Sequence, residues 1–168
     1  MTDPKSRIAL KNPWHLLATG FGSGLSPVVP GTMGTVASIP FYLLLVQLPA
    51  PVYYLVVILA CVIGVKICQV TSDDMGVHDH GSIVWDEFAG YWITMLVVPF
   101  FHLNTLDWRW ILSGFIVFRF FDMVKPWPIS WLDKRVGGGF GIMVDDILAG
   151  VMSLIVLGLL GNYLGWMH

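Results

Sequence analysis

Charged side chains are scarce in this sequence. Asp, Glu, Lys and Arg make up 12% of its 168 residues, whereas a soluble domain carries about 25%. No charged residue lies between Lys11 and Lys66, and 56% of the residues are hydrophobic. The net charge of −2 leaves no basic face for nucleic acid. We therefore expect a single membrane-embedded domain over residues 1–168, with a polar, basic N-terminal segment at 1–12.

Several catalytic signatures are also missing. The two cysteines, Cys61 and Cys68, are seven residues apart in one apolar run, too far along a helix to form a disulfide. Neither is followed by an arginine six residues later, which excludes a Cys-x5-Arg phosphatase loop. The D-x-D-x-T and D-G-x2-A-R motifs of other phosphoryl-transfer enzymes are absent as well.

The sequence contains five long apolar runs. They cover about 33–48, 50–70, 84–103, 108–121 and 147–168. A helix that crosses a bilayer needs about 20 residues, so the second, third and fifth runs are long enough and the other two are marginal. Lipid offers the backbone no hydrogen-bond partner, which favours helices. We predict an all-α, polytopic membrane helical bundle with four or five membrane helices.

The few charges are distributed unevenly around these runs. If the chain crosses five times, residues 1–32, 71–86 and 122–146 lie on one side. All basic residues except Arg109 fall on that side or at helix ends facing it. Loops rich in Lys and Arg stay in the cytoplasm. This pattern predicts a multi-pass membrane protein whose polar site faces the cytoplasm.

Two pairs of adjacent acids stand next to apolar runs: Asp86 with Glu87, and Asp145 with Asp146. Each pair belongs to the pattern G-x-x-V-x-D-x-x-A-G, found at 81–90 and 141–150. The pattern aligns Asp86 with Asp146 and would place each in the first turn of a helix. Capping of helix N-termini explains one acid per helix. A site for a hard cation such as Mg²⁺ explains the pairs, and glycines one turn later would let the two helices approach closely.

The stretch RFFDMVKPWPI places Arg119, Asp122 and Lys125 three residues apart on one broad helix face. These side chains could form a plain salt-bridge cluster. Alternatively, Asp122 binds metal or takes part in catalysis while the two cations receive a phosphate. The acids predicted on the same side favour the second interpretation.

Two loops complete the polar side. In GFGSGLSPVVPGTMGT, glycine backbone amides and hydroxyls could hold an anion, although no Walker A sequence follows. Ser26, Gly31 and Thr32 are the candidate phosphate ligands there. In VHDHG, Asp79 is a candidate site carboxylate, and His78 a possible proton donor.

The stretches GFGSGLSPVVPGTMGT and FRFFDMVKPWPI, together with IVWDEFAG and GGGFGIMVDDILAG, resemble motifs of the phosphatidylglycerophosphatase A family, in the same order along nearly the whole chain. The resemblance implies Mg²⁺-dependent hydrolysis of phosphatidylglycerophosphate to phosphatidylglycerol and phosphate at the bacterial inner membrane, with membrane lipids as neighbours. The geometry above then assigns roles as follows: catalysis to Glu87, Asp122 and Asp79; phosphate binding to Ser26, Gly31, Thr32, Arg119 and Lys125; metal binding to Asp86, Glu87, Asp122, Asp145 and Asp146.

An ion-coupled small transporter is the alternative class for an apolar protein with several acids. Its carboxylates should be spread through the depth of the bilayer. Here they gather at one end of the apolar runs, whose centres carry no charge. The distribution favours an enzyme site at the membrane surface.

Overall fold

The secondary structure is all helical. The computed structural model describes residues 4–166, and within that range no β-strand occurs. The α-helices are α1 (Pro13–Ala18), α2 (Pro30–Leu45), α3 (Ala50–Met75), α4 (Trp85–Thr94), α5 (Val97–Phe100), α6 (Trp108–Val124), α7 (Ile129–Asp133) and α8 (Gly138–Tyr163). The predicted all-α class is confirmed.

Residues that favour helix boundaries mark the ends of the long helices. Pro49 precedes α3, and Gly76 ends it with a left-handed φ of 70°, a conformation that glycine adopts without strain. The carboxylate of Asp107 caps α6 by accepting a hydrogen bond from the backbone N–H of Arg109 at 3.0 Å. These boundaries leave the apolar runs inside the helices.

The predicted apolar runs correspond to helices, with one exception. The first, second, fourth and fifth runs fall on α2, α3, α6 and α8. The third run, 84–103, is broken, because α4 ends at Thr94 and α5 begins at Val97. Neither piece approaches the roughly 20 residues of a membrane span. The expectation of one long helix in this run is therefore wrong.

Among the described residues, α3 and α8 are the two helices long and apolar enough to cross a membrane. Each contains 26 residues. The predicted total of four or five spans is not established by this criterion. Residues 1–3 of the predicted basic segment and residues 167–168 of the fifth run lie outside the described range.

The short helix α4 lies at the centre of the bundle. Nine of its ten residues are buried, and it packs against α2, α3, α6 and α8. Its aromatic side chains donate hydrogen bonds to backbone carbonyls of three surrounding helices: Trp85 to Ala60 on α3 (3.1 Å), Tyr91 to Ile111 on α6 (3.2 Å) and Trp92 to Ser38 on α2 (3.1 Å). These bonds satisfy buried polar groups and hold α4 in one rotational position.

Helices α4 and α8 touch through their backbones. A Cβ atom on Gly150 would lie 2.5 Å from the carbonyl oxygen of Gly90, and one on Gly90 would lie 2.8 Å from the carbonyl oxygen of Asp146. Real Cβ atoms do not approach other atoms so closely. The close approach expected from the repeated glycines is confirmed.

Candidate active site

Four carboxylates come together where α4 crosses α8. Asp86 and Glu87 lie in the first turn of α4. Asp145 and Asp146 lie about two turns into α8, because that helix begins at Gly138 and not near residue 147. The predicted first-turn position of Asp146 is therefore wrong. Helix-terminus stabilisation fades within one turn, so it does not account for this second pair.

The acids form a tight group. One carboxylate oxygen from each of Asp86, Glu87 and Asp146 lies within 4.8 Å of the others. The two aligned aspartates thus do meet across α4 and α8, as the repeated pattern predicts. Glu87 joins them, although adjacent residues on a helix diverge by about 100°. Three carboxylates at this spacing repel one another unless a cation or protons compensate them.

Unpaired oxygens indicate what this group could bind. Among the described residues, four buried carboxylate oxygens have no hydrogen-bond partner: Asp86 Oδ1, Glu87 Oε2, Asp145 Oδ1 and Asp146 Oδ2. Buried polar atoms are normally satisfied. Oxygen ligands suit hard divalent cations, whereas zinc and softer metals favour His and Cys. The site therefore fits a hard divalent cation such as Mg²⁺.

Arg119 borders the acids from α6. Its Nη1 pairs with Asp122 and lies 3.9 Å from Glu87 Oε1. The same nitrogen lies 3.5 Å from the hydroxyl oxygen of Thr35 on α2. Arg119 and Asp122 therefore do form a salt bridge, and this bridge is part of the acidic site.

Lys125 connects a second part of the site. Its Nζ donates hydrogen bonds to Asp145 and, at 2.9 Å, to Asp133. Burial lowers the pKa of Lys125, but the hydrogen bonds and negative charges of Asp145 and Asp133 together outweigh burial and hold that pKa above its ordinary value. Lys125 is thus a charged side chain that compensates Asp145, the acid outside the tight group.

The glycine-rich stretch contributes less directly than its sequence predicts. The hydroxyl of Ser26 donates to the carbonyl of Val28 at 2.9 Å, within its own loop. Gly31 does face the site, since a Cβ there would lie 2.4 Å from Glu87 Oε1. Gly31 and Thr32 belong to the first turn of α2, so they are not in irregular structure. Thr32 is half-buried.

Thr35 was not among the predicted phosphate ligands. Its hydroxyl donates to the carbonyl oxygen of Gly31 at 3.0 Å and lies within reach of Arg119. The spacing of four residues from Gly31 could have identified Thr35, because residues four apart lie on the same face of a helix.

The loop before α4 closes another side. Asp79 has a left-handed φ of 48° and borders the acidic cavity. His78 Nε2 accepts a hydrogen bond from the backbone N–H of Gly138 at 2.8 Å. His78 therefore anchors this loop to the start of α8, and its Nε2 is occupied by that bond.

These elements enclose a polar cavity of 340 Å³, called here the acidic cavity. It brings together most of the predicted site residues: Asp79, Asp86, Glu87, Arg119, Asp122, Lys125, Asp145 and Asp146. Ser26, Gly31 and Thr32 are not among its lining residues. Acids and cations around one cavity can hold a metal and a phosphate side by side.

Comparison with known proteins agrees with this chemistry. A profile of the phosphatidylglycerophosphatase A family matches residues 16–161. Phosphatidylglycerophosphatase A of Escherichia coli (strain K12) is 58% identical over 159 residues, which cover 95% of this chain and 90% of that protein. Phosphatidylglycerophosphatase A of Haemophilus influenzae is 47% identical over 156 residues, covering 92% and 93%. No solved structure is significantly similar. The chain therefore belongs to the phosphatidylglycerophosphatase A family.

Proposed function

We propose that this protein hydrolyses phosphatidylglycerophosphate to phosphatidylglycerol and inorganic phosphate, as a step of phospholipid biosynthesis. The names of its relatives support this substrate. The single observation that carries the proposal is the cluster of Asp86, Glu87 and Asp146 beside Arg119, at one end of an apolar bundle. A phosphate at the head of a membrane lipid would meet a site of this kind at the membrane surface.

The cofactor in this proposal is Mg²⁺, held by carboxylates. Asp86 and Asp146 would be the principal ligands, with Glu87, Asp122 and Asp145 as further candidates beside them. Held there, Mg²⁺ would supply positive charge that polarises the phosphoryl group. The unpaired oxygens of Asp86, Glu87, Asp145 and Asp146 support the assignment.

The remaining side chains orient the reactants. Arg119 offers a planar set of donors to the phosphate, and Lys125 adds a second positive charge at the wall. The amide end of α2, around Gly31 and Thr32, faces the same region and favours an anion. Ser26 is the weakest phosphate ligand in the set, because its hydroxyl is engaged within its own loop.

Glu87 is the proposed general base. Its Oε2 is buried and unpaired, so it can take a proton from a water molecule as that water attacks phosphorus. The bond from phosphorus to the glycerol oxygen breaks, and that oxygen leaves as the alcohol after gaining a proton. Asp79 at the cavity wall would relay this proton from solvent, while Asp122 stays paired with Arg119 and holds it towards the phosphate. Direct attack by water needs no covalent aspartyl-phosphate.

The membrane placement is part of the proposal. Exposed apolar side chains cover α2, α3, α6 and α8, whereas the α4 residues Asp86–Thr94 are buried. We place α2, α3, α6 and α8 across the bacterial inner membrane. The α4–α5 segment would traverse the bundle between them. The short α2 and α6, of 16 and 17 residues, would span about 24–26 Å at 1.5 Å per residue, close to the hydrocarbon thickness of about 30 Å. The acidic cavity then faces the cytoplasm.

A transporter is disfavoured by the same placement. The acids cluster at one end of α4 and α8, and from Ile147 to Tyr163 α8 carries no charged residue. An ion path would need polar groups through the depth of the bundle.

The activity is tested with purified protein in detergent and a panel of phosphorylated lipids. Phosphate release from phosphatidylglycerophosphate should stop with EDTA and return when Mg²⁺ is added. Full activity in metal-free buffer would exclude the metal assignment. Release from none of the lipids would exclude the proposed reaction.

Orientation is tested separately. A reporter fused within residues 134–137, between α7 and α8, should show the activity expected for a cytoplasmic location. A periplasmic result would refute the proposed placement of the cavity.

A further inference from the structure

A second, apolar groove runs between α2 and α6. It has a volume of 430 Å³ and is lined only by apolar side chains: Val36 and Ile39 from α2, and Trp108, Ile111, Leu112 and Phe115 from α6. Ile39, Ile111 and Phe115 are half-buried and form its floor, while the others are exposed at its rim.

The groove continues the acidic cavity along the same two helix faces. On α2, Gly31 faces Glu87, Thr35 approaches Arg119, and Ile39 lines the groove. These three residues are four apart, so they share one face of the helix. On α6, Phe115 of the groove lies one turn before Arg119. The contact between Thr35 and Arg119 is therefore the point where the polar site passes into the apolar groove.

The distance from Arg119, at the polar site, to the far end of the groove matches one lipid chain. Arg119 and Trp108 are eleven residues apart on α6, or about 16 Å at 1.5 Å per residue. One leaflet of a bilayer has a hydrocarbon thickness of about 15 Å, half of about 30 Å. A chain that starts beside Arg119 would reach Trp108 near the middle of the bilayer or beyond.

We propose that this groove holds one acyl chain of the lipid whose phosphate enters the acidic cavity. The inference rests on the proposed function, and it adds the part of the protein that recognises the substrate as a lipid. Lipid tails are as apolar as the groove, so binding there gains packing and orientation more than hydrophobic free energy. The groove would thus fix the distance between the membrane and the phosphate.

A larger apolar cavity of 630 Å³ does not offer the same continuity. It lies near α5 and the second half of α8, around Leu154 and Gly158. Between it and the acids, Gly90 and Ile93 of α4 close directly on Gly150, where an added Cβ would meet them at 2.5 and 3.0 Å. A lipid whose phosphate is in the acidic cavity has no open path along that face.

The test fills the groove with a large side chain. Val36→Trp narrows it from α2, and Leu112→Trp narrows it from α6. Val62→Trp is the matched control, because Val62 is an exposed valine on α3 outside the groove. Each protein is assayed in detergent on phosphatidylglycerophosphate with long acyl chains and on the dibutanoyl form, whose chains are too short to fill the groove.

For Val36→Trp and Leu112→Trp, kcat/KM for the long-chain lipid should fall about tenfold, with the dibutanoyl form nearly unaffected. Val62→Trp should act like the wild type on both. Equal losses on both substrates, or no loss on either, would overturn the groove assignment. A changed oligomeric mass in both groove variants would point to a second copy of the chain as the occupant, and would also overturn it. A wild type that hydrolyses neither lipid would instead reject the proposed function itself.

Discussion

The two copies of the pattern G-x-x-V-x-D-x-x-A-G meet in space but differ in their second acid. The shared residues, Asp86 with Asp146 and Gly90 with Gly150, form the crossing of α4 and α8. The second acids do not align: Glu87 follows its aspartate, whereas Asp145 precedes Asp146. The shared positions therefore build the contact, and the unshared positions separate the roles.

The difference lies in the cation that each second acid meets. Each of these acids keeps one oxygen unpaired, but Glu87 approaches its cation, Arg119, only to 3.9 Å. Asp145 pairs directly with Lys125, which also bonds Asp133. Glu87 is thus available for chemistry, while Asp145 is largely committed to a salt bridge. The comparison shows that two copies of a motif can share one geometry while their second acids have different functions.

Removing a shared acid should have the largest effect. Asp86→Asn or Asp146→Asn takes away one carboxylate from the proposed Mg²⁺ site, so phosphate release should fall about a thousandfold. High Mg²⁺ should restore part of the activity. Asp73→Asn, at an exposed position on α3, is the control and should remain active. Near-normal activity in either aspartate variant would break the proposed equivalence of the two copies.

Replacing Glu87 and Asp145 one at a time should distinguish the roles of the two second acids. Glu87→Gln removes the proposed general base, so kcat should fall about a hundredfold. The Mg²⁺ concentration that gives half-maximal activity should change little. Asp145→Asn should cause a smaller loss of kcat, because Lys125 retains Asp133 as a partner. If Asp145→Asn proves more damaging than Glu87→Gln, the assignment of the base to α4 is wrong.

Replacing Arg119 should raise KM more than replacing Lys125, just as replacing Glu87 should lower kcat more than replacing Asp145. Arg119→Ala removes the donor group beside Glu87, and KM for the lipid should rise about tenfold. Arg119→Lys should recover only part of this loss, because lysine cannot present two parallel donors. Lys125→Ala should raise KM less. Equal, metal-sensitive losses of kcat in both alanine variants would place these residues at the metal and not at the phosphate.

The shared glycines should give the smallest effect on activity. Gly150→Ala inserts a methyl group where no space exists, which should cost about 1–3 kcal/mol of stability and lower activity severalfold. Gly158→Ala, eight residues later on α8, meets its nearest atom at 3.7 Å. A helical alanine there should be neutral or stabilising by up to about 1 kcal/mol. The midpoint of thermal unfolding and the rate of phosphate release should be measured on the same samples. A loss of activity in protein that is still folded would then indicate displaced helices at the α4–α8 crossing, and not unfolding. Equal midpoints in the two variants would show that the crossing tolerates a methyl group.

Much of this arrangement is predictable from the sequence, because apolar runs and repeated small residues report directly on helices and close contacts. The break between α4 and α5 is different. Thr94 to Val97 contains no proline or glycine, and the local signal is Pro99, which cannot donate a hydrogen bond to the carbonyl of Met95. Pro40 lies inside α2 without ending that helix, so a proline alone does not tell a break from a tolerated position. Which of the two occurs depends on packing in the whole fold.

The start of α8 also escapes prediction, for a physical reason. The sequence GGGFG is typical of a loop, yet it forms the first turns of α8. A Cβ on Gly139 would lie 2.1 Å from the carbonyl oxygen of Val65 on α3, so glycine serves close packing there. Its backbone N–H donates to Gln69 Oε1 at 2.6 Å, which replaces an ordinary cap. Only the tertiary contact reveals that these glycines are helical.

The hydrogen bonds that hold α4 have an evolutionary consequence. Trp85, Tyr91 and Trp92 donate to main-chain carbonyls and not to side chains. Every amino acid carries such a carbonyl, so the partner positions Ala60 and Ile111 can change identity without losing the bond. Substitutions at these partner positions should therefore leave the helix that carries Asp86 and Glu87 aligned, as long as the backbone of the partner helix keeps its path.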